Sequence, residues 1–258
     1  MRVGATVRPG PDKSFAKGLA LLEALARSAK PRGVSDLARA LCLTKSNTYR
    51  LLQTLLACGF VRRRAEDGTY EASLKLWELG VQIVGRVDIR RAARPHLVRL
   101  VEATGESVHL SVLDGADVLY VDKVESSQPV RAYSSVGGRA PAHCVATGKV
   151  LLAHAPAETL AAVLQDLVSH TRLTITDPVV MKRELARIRK DGYAVNRGEW
   201  RESVCGVAAP MRDSRGEVVA AIGISGPAER LRPRQMQAMS PAVVECAATI
   251  SRELGAPT

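Results

Sequence analysis

No apolar run in this 258-residue sequence approaches the roughly 20 residues of a membrane-spanning helix, so no membrane partner is expected. The opening stretch MRVGATVRPGPDKS lacks an apolar core of secretory length. Residues 1–13 therefore read as a flexible basic tail on a cytoplasmic protein. The cysteines, Cys42, Cys58, Cys144, Cys205 and Cys246, include no CxxC pair and leave one over. That argues against both a zinc site and a disulfide framework and favours buried reduced thiols. His96, His109, His154 and His170 show no HExxH or comparable spacing, so neither a metal nor another cofactor is expected. ATGKV resembles the end of a phosphate loop, but that loop needs glycine where His143 stands and serine or threonine at Val150. Internal repeats and low-complexity segments are absent too.

What is present is an ordinary globular composition, 46% hydrophobic and 24% charged, over a length that suggests two domains. The formal charge is +11, and its distribution says more than its size. Residues 1–80 hold 14 Lys/Arg against 7 Asp/Glu, whereas residues 81–258 hold 23 against 19. A polyanionic partner thus belongs with the first third of the chain.

In that third, SFAKGLALLEALARSAKPRG reads as a helix capped by Ser14, with Phe15, Leu19, Leu22 and Leu25 at helical spacing. VSDLARALCL follows as a short second helix with Ser35 as cap, Asp36 in the first turn and Leu37, Ala38 and Leu41 facing inward. Thr44 caps a third helix that Gly59 closes. Leu51, Leu52 and Leu55 form its buried stripe with Thr48 on the same side. Lys45, Ser46, Tyr49, Arg50 and Gln53 are left outside, and Asn47 joins them in the polar first turns. Hydrogen-bonding groups on the N-terminal half of a helix suit phosphates and base edges in a major groove. FVRRRAEDGTYEAS then pairs residues 61–64 with 69–72 across Asp-Gly, a wing carrying Arg62, Arg63 and Arg64. Strand alternation prevents the three arginines from all facing one way. Three helices and a hairpin over residues 14–73 make a winged helix-turn-helix, with double-stranded promoter DNA as the expected partner.

The segment LKLWELGVQIVGRV, within residues 74–88, is apolar on two faces: Leu74, Trp77, Val81 and Val84 on one, Leu76, Leu79, Ile83 and Val87 on the other. A helix needing partners on two sides is expected in a homodimer interface, which suits a reader of paired half-sites. From residue 89 a helix leads into a hairpin about Asp114-Gly115, a strand VRAYSS, a loop VGGRAPAHC, helical segments broken at Pro156 and Pro178, strands 204–211 and 218–225, and a last helix from about Pro233. This makes residues 89–258 an α+β domain.

Adjacent His143 and Cys144, with Cys205 and Asp122 as helpers, raise the alternative of thiol catalysis at Cys144. Sequence adjacency alone does not build a nucleophile–base pair, however, and the chain is not expected to be an enzyme. The competing reading is a small-molecule cup, with the backbone N–H groups of Ala146, Thr147 and Gly148 at a helix start and Ser225 in GISGPAER.

TKSNTYRLLQTLLACGFVRR, RAPAHCVATGKVLLA and GYAVNRGEWRESVCGVAAPMRDSRGEVVAAIGISGP, in this order and spacing, resemble the IclR family of bacterial transcription regulators along nearly the whole chain. The resemblance implies a winged helix domain, a dimerising linker helix and a GAF-like effector domain, commonly assembled as a dimer of dimers. By motif, it implies a pocket at Ala146, Thr147, Asn196, Val204, Gly206, Gly223 and Ser225. Relatives that take small keto acids tend to have an acid at Asn196, a thiol at Gly206 and serine at Gly223. Their replacement here implies a roomier, less polar pocket, with Tyr133, Trp200 and Arg131 as further lining, and an aromatic acid or related catabolite as effector of a catabolic operon.

Overall fold

A computed structural model describes residues 12–85, 89–131 and 134–257, with the side chains of residues 81–85 outside the description. The chain divides into two compact units, one up to residue 86 and one from residue 87.

The first unit packs α1 (Lys13–Ala26), α2 (Val34–Ala40) and α3 (Lys45–Ala57) against a two-stranded sheet of β1 (Val61–Arg63) and β2 (Tyr70–Ala72), and ends in α4 (Lys75–Gly85). Its core joins Leu21, Leu22, Leu25, Leu37, Leu51, Leu52, Val61 and Tyr70. Two expected caps move by two residues: Asp12, not Ser14, accepts the Ser14 and Phe15 amides, and Gly33, not Ser35, precedes α2. The α1 stripe is also rotated. Phe15 and Leu19 are exposed, because Leu21 enters the core alongside Leu22 and Leu25. Between α2 and α3 the chain reverses through Cys42 at φ 53°, a left-handed conformation that a non-glycine residue adopts only when its surroundings enforce it. In the turn the Leu43 amide donates to the Ala38 carbonyl, 2.8 Å away.

The second unit is one six-stranded antiparallel sheet in the order β5-β4-β3-β8-β7-β6. Its strands are β3 (Ser107–Asp114), β4 (Asp117–Val124), β5 (Arg139–Pro141), β6 (Ala194–Arg197), β7 (Val204–Arg212) and β8 (Val218–Pro227). Helices α5 (Ile89–Thr104) and α9 (Pro233–Glu253) cover one face, where Val108, Leu110, Val207, Met211, Ile222 and Ile224 meet Leu97, Val243 and Ile250. The other face takes α6 (Ala146–Ala153) and α8 (Pro178–Asp191), with α7 (Ala157–Gln165) packed beside them. The period of two explains the division: Val207, Ala209 and Met211 point to the first face, Gly206 and Ala208 to the second.

Two expectations fail here, and one strand was not foreseen. No strand forms at the described residues of VRAYSS; β5 lies instead in the expected loop, where Arg139–Pro141 pair with β4. The edge strand β6 escapes sequence reading because only four residues of it pair with β7. Of the cysteines expected to be buried, Cys42 and Cys58 are exposed, Cys246 is half-buried, and only Cys144 and Cys205 are fully enclosed. No helix of the described residues is long and apolar enough to cross a membrane.

Candidate functional site

Helix α3 carries the first candidate site. Thr44 caps it by accepting the Asn47 amide at 3.3 Å, and Gly59 at φ +75° ends it. Beyond the last turn, Gly59 donates to the Leu56 carbonyl and Phe60 to Leu55, the paired closure that a left-handed residue after a helix permits. Thr48, Leu51 and Leu52 are buried, with Thr48 Oγ1 donating to the Thr44 carbonyl at 3.0 Å. That fixes which face is out: Lys45, Ser46, Arg50 and Tyr49 are exposed, the last half so. Asn47 and Gln53 are partly covered. Asn47 Oδ1 accepts from Arg50 at 3.4 Å, and the Gln53 amide reaches the Tyr70 hydroxyl at 3.4 Å, tying helix to wing.

On the wing, register sets the arginines apart. Arg62 faces Glu71 and pairs with it at 3.1 Å, while Arg63 lies opposite Tyr70 on the other side. Arg64 pairs with Glu66 at 3.4 Å, and among the described residues no carboxylate engages Arg63. Asp67 holds the turn by accepting from the Thr69 amide and hydroxyl, which keeps its own carboxyl below the usual range.

The second candidate site is a cavity of about 50 Å³ beneath α6, on the sheet face away from α5 and α9. Strand register builds its floor: Asn196, Gly206 and Ser225 stand in one cross-strand row, and Gly223 and His109 in the next. Ala146, Thr147, Asn196, Trp200, Val204, Gly206, Gly223 and Ser225 all line it. Gly148 does not. It is the packing residue of α6, since a Cβ there would overlap the Ala142 backbone. Tyr133 lies outside the described residues, and Arg131 pairs with Glu125 at 3.1 Å and is not part of the lining.

The glycines do not enlarge this cavity, contrary to expectation. A Cβ on Gly206 would come within 2.6 Å of the Ile224 carbonyl, and one on Gly223 within 2.9 Å of Thr147 Cγ2. The neighbouring chain already occupies the space that a side chain would need. The volume is about that of a few ordered waters.

His109, Tyr120, Ser134 and Arg201 also line the cavity and were missed in the sequence. The signal existed in SVHLSVLD, where alternation puts His109 on the face opposite Val108 and Leu110. His109 Nε2 lies 2.5 Å from Ser225 Oγ and Nδ1 3.2 Å from Ser134 Oγ, so the ring is held at both nitrogens. Burial, aided by the charge of Lys123, lowers its pKa to about 3, which keeps the imidazole neutral. Burial also pushes the Tyr120 hydroxyl up to about 12.

The segment bearing Trp200, Arg201 and Val204 is fixed from below. Asn196 Oδ1 accepts the Glu199 amide at 2.9 Å, and the Glu199 carboxylate takes two 2.7 Å bonds from buried Lys149 of α6. Burial raises the Glu199 pKa while Lys149 opposes the shift. Arg201 stacks on Trp200 at 4.4 Å. Of the suggested thiol chemistry little survives: burial pushes the Cys144 thiol up to about 12, the wrong direction for a nucleophile.

Two family models match the chain, one in each unit. Residues 14–65 match the IclR helix-turn-helix domain, and residues 81–252 match the bacterial transcriptional regulator IclR C-terminal domain. The chain is 34% identical to the glycerol operon regulatory protein of Streptomyces coelicolor over 95% of its own length and 97% of that protein's. It superposes on the Thermotoga maritima IclR crystal structure with a TM-score of 0.78 at 36% identity, covering 94% of this chain and 98% of that one. An IclR homologue from Microbacterium hydrocarbonoxydans, crystallised with 4-hydroxybenzoate, gives a TM-score of 0.82 at 28% identity, covering 94% and 99%.

Proposed function

The chain belongs to the IclR family of bacterial transcriptional regulators, and from that premise we propose how it reads DNA and what it senses. Thr44, Lys45, Ser46, Asn47, Tyr49 and Arg50 meet the operator in the major groove. Gln53 braces the helix against the wing, and Arg62, Arg63 and Arg64 meet phosphates. Of the three, Arg63 is the most available, because Arg62 and Arg64 already have carboxylate partners. Exposed Leu74, just before α4, and Trp77 and Leu79 on it support a homodimer reading two half-sites, and a dimer of dimers follows the family pattern.

The effector we propose is a small organic acid produced in a catabolic route. Its carboxylate takes the unpartnered first N–H groups of α6, which no side chain caps, and its other end meets Ser225, His109 and Asn196. An aromatic acid is the preferred form, supported by the 4-hydroxybenzoate found with a structural relative. With about 50 Å³ open, an aromatic ring enters only as Trp200 and Arg201 swing aside. That movement gives the ligand unequal affinity for two arrangements, the condition for shifting one against the other.

The observation that carries this reading is the convergence of seven family-pattern positions, with Trp200, on one cavity below a helix N-terminus. The test is a thermal-shift screen of aliphatic and aromatic acids, followed by binding to a duplex selected with the purified protein. Stabilisation by a carboxylic acid, lost in Ser225→Ala and Asn196→Ala while duplex affinity is kept, supports the pocket. Stabilisation undiminished in both variants moves it elsewhere.

A further inference from the structure

His143, Cys144 and His170 have no part in either site above. Yet a ring nitrogen of each imidazole and the Cys144 sulfur all lie within 4.8 Å of one another. The two rings stand 6.0 Å apart between centroids, tilted by 43°. Sequence spacing hides this group, since His170 comes from the connection between α7 and α8, far along the chain from the 3-10 turn Ala142–Cys144.

Each member is positioned. His143 Nε2 lies 3.0 Å from the Val168 carbonyl, and a carbonyl only accepts, so Nε2 carries the proton and Nδ1 keeps its lone pair. An imidazole oriented in this way by a backbone carbonyl is the usual outer support of a metal-binding histidine. His143 and Cys144 are buried in the turn leading into α6. His170 is anchored by its amide, which donates to Thr174 Oγ1 at 3.0 Å, while its side chain remains exposed. Asp166 and Asp117 add negative charge within electrostatic reach of His143.

We propose that His143, Cys144 and His170 form a binding site for a zinc-class divalent cation, with solvent filling the remaining position. Two imidazoles and a thiolate form a donor set typical of zinc among the common divalent ions. Bond lengths of about 2.0–2.1 Å to nitrogen and 2.3 Å to sulfur place tetrahedral donors roughly 3.3–3.7 Å apart. The widest separation must contract by roughly 1.1–1.5 Å, and of the three side chains that of His170 is exposed and has room to move. On binding, the Cys144 S–H bond breaks, its proton leaves to solvent, and sulfur bonds to the metal. The ion would tie the head of α6 to the segment whose Thr171 and Thr174 hold the Gly198 and Glu199 carbonyls beside the pocket.

The experiment is titration of the full-length, chelator-treated protein with Co²⁺, then competition with Zn²⁺. One equivalent of Co²⁺ should give the near-ultraviolet thiolate charge-transfer band and intense tetrahedral visible bands, both removed by Zn²⁺. His170→Ala, at an exposed position, should leave folding intact and weaken Co²⁺ binding at least about 100-fold, the upper range for losing even an outer partner. Cys144→Ser should abolish the charge-transfer band. Absence of that band in the parent protein, a band of equal affinity in His170→Ala, or a band that persists in Cys144→Ser overturns the site. Neither readout depends on DNA or effector.

Discussion

The α3 face and the α6 cavity both present hydrogen-bonding groups, but they are built in opposite ways. The reading face is one helix on a leucine core, its polar groups exposed and only lightly tied: Arg50 to Asn47, Gln53 to Tyr70. The cavity collects its polar groups from β3, β6, β8 and α6, with His109 held at both nitrogens and, behind the lining, Lys149 locked on Glu199. An exposed face can be altered one group at a time at small cost. A buried network cannot, because each group lost leaves a partner unsatisfied.

The sharpest test of that difference is Lys149→Met. Removing one partner of a buried ion pair should cost about 3–5 kcal/mol of stability, whereas Lys149→Met with Glu199→Leu should recover most of it. Chemical denaturation of the single and double variants measures this. A single variant as stable as the parent would mean that leaving Glu199 unpaired costs nothing, against the buried-pair reading.

On the reading face, Tyr49→Ala and Ser46→Ala should leave the denaturation midpoint nearly unchanged. Each should weaken operator binding by about 1–3 kcal/mol with little effect on random duplex. Equal losses on both duplexes would remove these residues from base reading.

His109 separates the two regions by pH. Its folded pKa of about 3 lies below the unfolded value near 6.5, so the unfolded chain takes up the proton first as pH falls. Its stabilising contribution is therefore full above pH 6.5 and lost progressively below it, by about 1.4 kcal/mol per pH unit. Replacement by Gln should flatten the acid side of the stability profile by that slope. A profile unchanged in His109→Gln would contradict neutral burial.

The smallest expected effect is on the wing. Arg63→Ala should lower the salt dependence of DNA binding by about one phosphate contact, equally on all sequences, and paired Arg62→Ala should lower it less. Reversal of that order would show that the Arg62–Glu71 pair opens on DNA.

Much of the first unit was legible because helical period and capping act within a few residues. Thr44, the Thr48–Leu51–Leu52 stripe and Gly59 follow from spacing alone. The errors there were local competitions: Asp12 displaced Ser14 as cap, and Leu21 rotated the α1 stripe. In the second unit the family pattern located the pocket positions but not the space among them. Gly206 and Gly223 read as added room, and the fold used them for close backbone approach.

By itself, then, the sequence determined the winged helix, its outward polar face, the α+β class of the second unit and the family. These depend on short-range period and on motifs in series. Only the tertiary structure decided that His109 faces Ser225, that Lys149 is buried against Glu199, and that His170 meets His143 and Cys144. Each of these joins residues remote along the chain, and the pairing of distant strands and the path of the loops bring them together.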